Sequence, residues 1–348
     1  MSTTTMTQPY ATVSEALAQP TLHRLEPNLI AVVWRLMKMA PARAILDHAE
    51  KQGLLQPGGH IVETSSGNFG YALAILARER GYRLTVVTDK GIKSNQQRAE
   101  ALGSNVEVIE TADGTNIQGA RLARVRELLA TDPHCFWPSQ YANEQNPLGY
   151  DEAARHIVAH GGVPDVLVAP VGTGGSSRGL AQYLRLLNPS LRVVGVDTHG
   201  SVTFGLPDGP RLLTGLGSSS PIEIVDHTVY DEVHWVPASA AFRNTRNLFA
   251  TTGLFQGPTS GAAHLVARRT AQAHRRLRVV TVCPDDAVRY QDTVFDDRWL
   301  ADQGIDPHEP VAAPIEVRAP GNVEDGWSFI NWERRTLRDV QVQQPRGG

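Results

Sequence analysis

Apolar and polar positions follow one repeating pattern from about residue 60 to residue 300. Short β-branched runs alternate with glycine-containing or polar turns and with longer stretches whose apolar residues recur at helical spacing. Several of the β-branched runs are apolar throughout, which is typical of parallel strands covered by helices on both faces. The pattern therefore predicts stacked βα units and an α/β fold with parallel sheets.

The same pattern gives the bounds of the individual elements. The predicted strands are Ile61–Glu63, Arg83–Thr88, Val106–Ile109, Asp165–Val171, Arg192–Asp197, Glu232–Val236 and Arg278–Cys283. The predicted helices are Asn68–Arg80, Asn95–Leu102, Gln118–Ala130, Tyr150–His160, Ser177–Leu187, Ala238–Thr252 and Gly261–His274. A polar stretch, Asn143–Pro147, separates two sets of units, and a ligand is expected in the cleft between them, at the carboxyl ends of strands.

The pattern stops after Leu300, and a tail follows that combines proline with aromatic residues. Proline recurs from Pro307 to Pro320, and an aromatic cluster of Trp327, Phe329 and Trp332 comes next. We expect this tail to pack on the body of the molecule or on a dimer partner, and a lid over the ligand site is the alternative.

Composition and charge exclude several classes of partner. The 348 residues carry a net charge of -3 without a basic stripe, so nucleic acid is not an expected partner. The longest apolar run, Leu29–Trp34, is too short to span a bilayer, and the polar first residues lack a secretion signal, so we expect a cytoplasmic protein. Cys135 and Cys283 have no neighbours at metal-ligand spacing, so no metal site is predicted.

A glycine-rich turn, Gly172–Ser176, follows a predicted strand and precedes a helix. Glycine lets backbone N–H groups point into such a turn, and a helix N-terminus favours an anion, so a phosphate site is predicted. The dinucleotide loop of a nicotinamide dehydrogenase is a competing interpretation, with Asp197 as the acid that binds the ribose. That loop needs glycine at position 177, where the chain has Ser177.

Two further turns stand between a strand and a helix. Glu63–Gly70 offers hydroxyls, an amide and helix N-terminal N–H groups, which suit a carboxylate, and Gly257–Gly261 again joins hydroxyls to glycine. A single turn of this kind is more often a simple helix cap. Three of them in one α/β chain favour a binding site.

With these turns, the sequence resembles the fold-type II pyridoxal phosphate enzymes of the cysteine synthase and cystathionine β-synthase family, from about Thr21 to Leu300. The resemblance implies a tryptophan synthase β-like fold, with two open parallel-sheet αβα lobes, the active site in their cleft and pyridoxal 5′-phosphate as cofactor. It implies a site for the substrate carboxylate at Ser65, Ser66 and Gly67. It implies a site for the cofactor phosphate at Gly172, Thr173, Gly174, Gly175 and Ser176. It also places the hydroxyl of Thr259 at the pyridine nitrogen, where a neutral partner favours β-elimination and replacement.

Three strings narrow the resemblance to one branch of the family. Glu63–Gly70, Phe136–Asn143 and Tyr290–Asp297 are similar to the 2,3-diaminopropionate-pathway synthases of siderophore and antibiotic clusters. Enzymes of that branch condense O-phospho-L-serine with an amino-acid amine, typically L-glutamate, through an aminoacrylate. The resemblance therefore implies a lyase or transferase of specialised metabolism, which replaces the activated oxygen of an O-activated L-serine with an amine.

The resemblance also identifies the lysine that forms the Schiff base. In the family this lysine lies eleven residues before an Ala-Glu pair, and counting back from Ala49 gives Lys38. Pro41–Arg43 matches the diaminopropionate branch, whereas Trp34–Met37 departs from the usual family motif. Lys38 is expected to hold the cofactor, remove the α-proton and return it. A solvated lysine at a helix start is the competing interpretation, and it would make the chain a catalytically degenerate, non-enzymatic relative.

The remaining assignments also come from the resemblance. Asn68 is matched to the cofactor 3′-oxygen, whereas Phe69, Gln140 and Gly215 are matched to the substrate side of the site. The implied organisation is an N-terminal segment 1–20, a smaller carboxylate-binding lobe 45–147, a larger cofactor-binding lobe 21–44 and 148–300, and the tail 301–348. A homodimer acting on small amino-acid substrates is expected. A cysteine synthase-like enzyme that uses a sulfur nucleophile is the alternative function.

Overall fold

A computed structural model gives the structure of the chain, and it describes residues 9–89, 93–110, 117–213 and 215–342. These residues form two compact units. Unit 1 contains the described residues of Met1–Gln19 and of Leu36–Pro138, and unit 2 contains those of Pro20–Arg35 and of Ser139–Gly348. Each unit combines helices with a mainly parallel sheet, so the predicted α/β fold class is confirmed.

Strands and helices alternate along most of the chain. The strands are β1 (Thr21–Glu26), β2 (Leu29–Val33), β3 (His60–Thr64), β4 (Arg83–Thr88), β5 (Asn105–Val108), β6 (Cys135–Phe136), β7 (Val166–Pro170), β8 (Arg192–Asp197), β9 (Glu232–Trp235), β10 (Val279–Cys283), β11 (Ile315–Glu316) and β12 (Ser328–Asn331). The helices are α1 (Val13–Ala18), α2 (Met39–Lys51), α3 (Asn68–Arg80), α4 (Lys93–Ala101), α5 (Ile117–Thr131), α6 (Gln145–Leu148), α7 (Asp151–Gly161), α8 (Gly175–Leu187), α9 (Ala238–Thr252), α10 (Pro258–Ala273), α11 (Asp297–Asp302) and α12 (Leu337–Val342).

The described part of unit 1 is built on a four-stranded parallel sheet in the order β5-β4-β3-β6. Helix α3 starts four residues after β3 ends and buries Phe69, Leu73 and Leu76 in a core that it shares with Ile45 and Leu46 of α2. The start of α2 and the turn after β3 are therefore both anchored to this packed core.

The described part of unit 2 contains an eight-stranded sheet in the order β1-β2-β10-β7-β8-β9-β12-β11. Strands β2, β10, β7, β8 and β9 run parallel, whereas β1 and β12 are antiparallel to their inner neighbours. The inner strands β7 and β10 are buried along their whole length, and Phe242 of α9 and Val266 of α10 pack in the same core as Val168. The turn after β7 and the start of α10 are thereby anchored to this packed core.

The seven predicted strands and seven predicted helices are all present, and their ends differ from the prediction by at most three residues. The largest differences are at α4 and α8, which begin two residues early, and at α10, which begins three residues early. Gly174 caps α8, and Gly257, followed by a proline in the first helical turn, caps α10. Both glycine turns therefore lead straight into the first turn of a helix.

The described part of the tail extends the larger sheet. Strand β12 pairs antiparallel with β9, β11 pairs with β12, and Trp332 is fully buried. Residues 1–8 and 343–348 of the predicted terminal segments lie outside the described residues. The roles assigned to residues 45–147 and to residues 21–44 and 148–300 stay predictions. None of the described helices has the length and apolar character that a membrane crossing requires.

Candidate active site

The turn after β3 presents the N-terminus of α3. Gly67 caps this helix, and the buried Ser65 hydroxyl accepts hydrogen bonds from the backbone N–H groups of Gly67, at 3.3 Å, and Gly70, at 3.0 Å. The Ser65 side chain thus caps the helix. Ser66 and Asn68 are partly exposed, so the predicted carboxylate site depends on them and on the backbone of the first helical turn.

A small depression, partly open to solvent, lies beside this turn. Ser65, Ser66 and Gly67 line it together with Asn95 of α4. The buried Asn95 amide donates a hydrogen bond to Asn68 Oδ1 at 3.3 Å.

Phe69 occupies a different environment from its neighbours in the turn. Its side chain is buried in the hydrophobic core of unit 1. The predicted contact between Phe69 and substrate therefore depends on its backbone N–H group, at the N-terminus of α3, and stays a prediction.

Lys38 immediately precedes the first residue of α2. Its side chain is partly buried, and the adjacent Met37 and Met39 are buried. Removal from water lowers the pKa of the Lys38 amine from 10.5 to about 8, and the negative charge of Glu63 acts in the opposite direction. A sizeable fraction of this amine is therefore neutral near pH 8, which is the form that adds to a carbonyl carbon. A solvated lysine at a helix start would lack this property.

Glu63 is a second ionisable group of this region, to which the sequence analysis gave no role of its own. Its carboxylate is fully buried at the end of β3, and Oε1 accepts hydrogen bonds from the Thr64 backbone N–H at 2.8 Å and the Trp137 indole N–H at 3.2 Å. These donors fix the carboxylate whose charge acts on Lys38. An acidic residue within an otherwise apolar strand was the sequence signal for this role.

The turn Gly172–Ser176 in unit 2 has the backbone geometry of a phosphate site. Gly174 has a φ of 78°, in the left-handed region that favours glycine. A Cβ atom on Gly175 would lie 2.1 Å from Asn146 Oδ1, so a side chain does not fit there. Thr173 Oγ1 accepts a hydrogen bond from the Gly175 N–H at 3.4 Å. Bare backbone at the positive end of α8 is an arrangement that binds phosphate.

Two more predicted residues lie against this turn. A Cβ atom on Gly215 would lie 2.4 Å from Thr259 Oγ1, and a Cβ atom on Gly172 would lie 3.3 Å from the Gly215 carbonyl oxygen. Thr259 is buried in the first turn of α10. The structure therefore brings the phosphate turn, Gly215 and the Thr259 hydroxyl together within unit 2.

Gln140 is connected to the turn Gly172–Ser176 through Asn146, a residue to which the sequence gave no role in the site. Asn146, which is fully buried, donates a hydrogen bond from Nδ2 to the Gln140 carbonyl oxygen at 2.7 Å, and its Oδ1 packs against Gly175. The sequence analysis treated Asn146 only as part of the polar boundary Asn143–Pro147. The Asn-Pro pair within the short helix α6 is the sequence signal that could have identified it.

The nicotinamide interpretation does not fit the structure. Ser177, where a third glycine was needed, is fully buried with its hydroxyl 2.6 Å from the Tyr230 hydroxyl. Asp197 is also fully buried, and its Oδ1 accepts a hydrogen bond from the Thr198 N–H at 2.8 Å. Burial raises the pKa of Asp197 to about 7. A carboxylate in this position does not face a ribose.

Comparisons with known proteins identify the family of the chain. Residues 37–285 match the family model described as "Pyridoxal-phosphate dependent enzyme". N-(2-amino-2-carboxyethyl)-L-glutamate synthase from Ralstonia nicotianae is 40% identical over 276 residues, which cover 76% of this chain and 80% of the relative. The protein of the same name from Cupriavidus metallidurans is 38% identical over the same shares.

Solved structures of similar proteins show the same fold. O-acetylserine sulfhydrylase isoform 3 from Entamoeba histolytica has a TM-score of 0.77 and 25% identity, covering 84% of this chain and 93% of its own. O-ureido-L-serine synthase has a TM-score of 0.75 and 28% identity, covering 84% of this chain and all of its own (100%).

Unit 1 has a desolvated lysine, and unit 2 has a glycine turn beside a buried hydroxyl. The chain belongs to the pyridoxal-phosphate dependent enzyme family. Its cofactor is pyridoxal 5′-phosphate, and its relatives place it among the enzymes of β-substitution within the cysteine synthase-like group.

Proposed function

We propose that the protein joins an O-activated L-serine, such as O-phospho-L-serine, to the amine of an amino acid such as L-glutamate. The observation that carries this proposal is the 40% identity to N-(2-amino-2-carboxyethyl)-L-glutamate synthase over 80% of that relative. The name of the relative describes glutamate whose nitrogen bears the three-carbon skeleton of serine. The C–O bond at the serine β-carbon would break, a C–N bond would form there, and the oxygen would leave as phosphate.

The residues of each unit have separate tasks in this proposal. In unit 2, Gly172–Ser176 would hold the phosphate of the cofactor, and the Thr259 hydroxyl would contact the pyridine nitrogen without protonating it. When bound, pyridoxal phosphate supplies the electron sink that weakens bonds at the α-carbon of an amino acid. Gly215 leaves space for this hydroxyl, because a Cβ atom there would lie 2.4 Å from Thr259 Oγ1.

In unit 1, the N-terminus of α3 would bind the substrate carboxylate. The first helical turn has a partial positive charge, and Ser66 and Asn68 are partly exposed there. Lys38 would hold the cofactor through its neutral amine. It would later accept the α-proton of the substrate at Nζ and return a proton after the nucleophile has added.

The experiment is an assay of the purified, cofactor-loaded protein with O-phospho-L-serine, O-acetyl-L-serine or L-serine, each with L-glutamate or with sulfide. The proposal predicts the fastest turnover for an O-activated serine with an amine, and a product with the mass of the nitrogen-linked adduct. Faster turnover with sulfide than with any amine would establish the cysteine synthase alternative. A protein that binds the cofactor and transforms none of these substrates would be the degenerate relative.

We also propose that the protein is a cytoplasmic homodimer with a role in 2,3-diaminopropionate-type specialised metabolism. The family resemblance supports the dimer, and the free thiols of Cys135 and Cys283 are compatible with a reducing compartment. Light scattering coupled to size-exclusion chromatography tests the dimer, since a mass near the 37.9 kDa of one chain would contradict it.

A further inference from the structure

Three metal-ligating side chains meet at the edge of the unit 1 sheet where β3 and β6 begin. His60 is the first residue of β3, Cys135 is the first residue of β6, and the two are paired in the parallel register of these strands. Asp132 follows the end of α5 directly. His60 Nδ1 lies 3.2 Å from Cys135 Sγ and 3.9 Å from Asp132 Oδ2, and the three ligand atoms all lie within 4.8 Å of one another.

Other contacts hold these side chains in place. His60 Nε2 lies 2.9 Å from Oγ1 of the buried Thr85 on β4, which directs Nδ1 towards the thiol. The Asp132 carbonyl oxygen accepts a hydrogen bond from the Cys135 N–H at 3.0 Å, and its Oδ1 accepts one from the His134 N–H at 3.1 Å. A histidine that binds a metal through one ring nitrogen and hydrogen-bonds through the other is the usual arrangement at metal sites.

The donor set and its spacing suit zinc. Zn²⁺ takes cysteine sulfur at about 2.3 Å and histidine nitrogen or carboxylate oxygen at about 2.0–2.2 Å in a tetrahedron, which sets ligand atoms about 3.3–3.5 Å apart. The observed separations are 3.2 Å between His60 Nδ1 and Cys135 Sγ and 3.9 Å between His60 Nδ1 and Asp132 Oδ2, so small movements of both partners of His60 would reach these values. His60 and Asp132 retain 17% and 37% side-chain exposure, so an ion and its water ligand can reach them.

The ion pair that Asp132 makes with a neighbouring arginine is weak. Arg83 Nη2 is 4.0 Å from Asp132 Oδ2, but its side chain is 69% exposed and makes a weak surface ion pair that an ion can displace.

We propose that His60, Cys135 and Asp132 form an accessory zinc site of unit 1, with three protein ligands and a water molecule in the fourth position. The ligands lie at the ends of β3 and β6 and after α5, so the bound ion would tie these elements together. The site is independent of the proposed reaction, because none of its ligands belongs to the residues assigned to cofactor or substrate.

The test uses the cofactor-loaded protein, freed of metal with a chelator and equilibrated by dialysis against Zn²⁺. We expect about one zinc ion per chain in the wild type and in His134→Ala, whose exposed side chain is outside the cluster. Cys135→Ala and His60→Ala should retain no zinc above background. Thr85→Val should weaken zinc binding about 10- to 100-fold, because it removes the partner that orients His60.

Asp132→Asn and Cys135→Ser provide milder changes should an alanine variant fail to fold, and circular dichroism checks each variant. Cd²⁺ serves as a second probe, since a bound thiolate gives a charge-transfer absorption that Cys135→Ser should abolish. A wild-type protein that retains no zinc would overturn the proposal. The same zinc content in wild type, Cys135→Ala and His60→Ala would overturn it equally.

Discussion

At the scale of single residues, burial and the charge of Glu63 together set the pKa of the Lys38 amine. Burial lowers the pKa of Lys38, and the charge of Glu63 limits this decrease, which leaves a value of about 8. The hydrogen bonds from Thr64 and Trp137 keep the Glu63 carboxylate in place. The pKa of the amine therefore lies below that of an ordinary, charged lysine and above the value at which the amine would be neutral at every physiological pH.

Replacing Glu63 with glutamine removes the charge that raises the Lys38 pKa and keeps the burial that lowers it. We expect the Lys38 pKa to fall below about 8, so that the neutral amine persists at lower pH. The rate at which cofactor-free protein recombines with pyridoxal phosphate, measured against pH, should then begin its rise at a lower pH in Glu63→Gln than in the wild type.

Glu50→Gln is the matched control, because Glu50 is bonded to Arg80 and Tyr82 near the other end of α2. Its pH profile should coincide with that of the wild type. An unchanged profile in Glu63→Gln, or a shift to higher pH, would show that Glu63 does not act on the lysine.

The sequence could predict which residues belong to the candidate site where a motif marks them. It could not predict what surrounds those residues in the fold. The spacing to Ala49 was sufficient to select Lys38, whereas its burial depends on contacts beyond that spacing. Trp137 lies 74 residues from Glu63, and Cys135 lies 75 residues from His60. Local spacing therefore did not reveal the partner of Glu63 or the cluster at Cys135.

At the scale of elements, the glycine turns are continuous with the helices that follow them. The predicted start of α10 at Gly261 placed Thr259 in a loop, whereas the structure places it in the first helical turn. The reason is that proline is favoured in the first turn of a helix, where its missing N–H group costs nothing. Thr259 and the phosphate turn are therefore positioned by helix starts.

Gly175→Ala tests whether the start of α8 must be free of side chains. The added Cβ atom would lie 2.1 Å from Asn146 Oδ1, and the strain of such overpacking costs about 1–3 kcal/mol. We expect roughly 10- to 100-fold weaker binding of pyridoxal phosphate, measured by fluorescence titration of cofactor-free protein.

The double variant Gly175→Ala with Asn146→Ala removes the overlapping atom and should recover part of the lost affinity. Gly326→Ala is the control, since a Cβ atom there meets nothing within 4 Å. Wild-type affinity in Gly175→Ala would contradict the role of the turn.

Strands β1 and β2, which the pattern did not predict, depend on pairing with other strands more than on their own sequence pattern. Strand β2 is a short apolar run, and such runs do not distinguish a strand from a buried helix. Its identity is settled by parallel pairing with β10, in which Leu29 faces Val279. Strand β1 has a mostly exposed, irregular pattern and exists because it pairs with β2.

On the scale of the whole molecule, the described tail is an integral part of unit 2. Trp332 is fully buried, its ring lies 5.2 Å from that of Phe204 and 5.9 Å from that of His227, and its indole N–H donates to the Arg335 carbonyl oxygen at 2.7 Å. The aromatic cluster of Trp327, Phe329 and Trp332 thus lies in and beside β12, a strand of the larger sheet.

Trp332→Ala should destabilise the protein by about 3–5 kcal/mol, since it leaves a large cavity among these rings. Urea unfolding followed by circular dichroism measures the effect. Leu186→Ala is the control, because that side chain is 79% exposed, and it should change stability by no more than about 0.5 kcal/mol. Equal midpoints for the two variants would contradict the structural role of the tail.

The α/β class and the family followed from the periodicity and the three turns, because these features are local in sequence. The family membership and the cofactor agree with the matched family model and with relatives at 38–40% identity. The assignment of Lys38 as the residue that holds the cofactor is a prediction from its spacing to Ala49 and its burial.

The most direct measurement is borohydride reduction of the yellow, cofactor-loaded protein, followed by mass-spectrometric mapping of the labelled peptide. We predict that the reduced cofactor is found on Lys38, that Lys51 at the end of the same helix carries none, and that Lys38→Ala yields no labelled peptide. A label on another lysine, or a protein that takes up no cofactor, would contradict the account of this site.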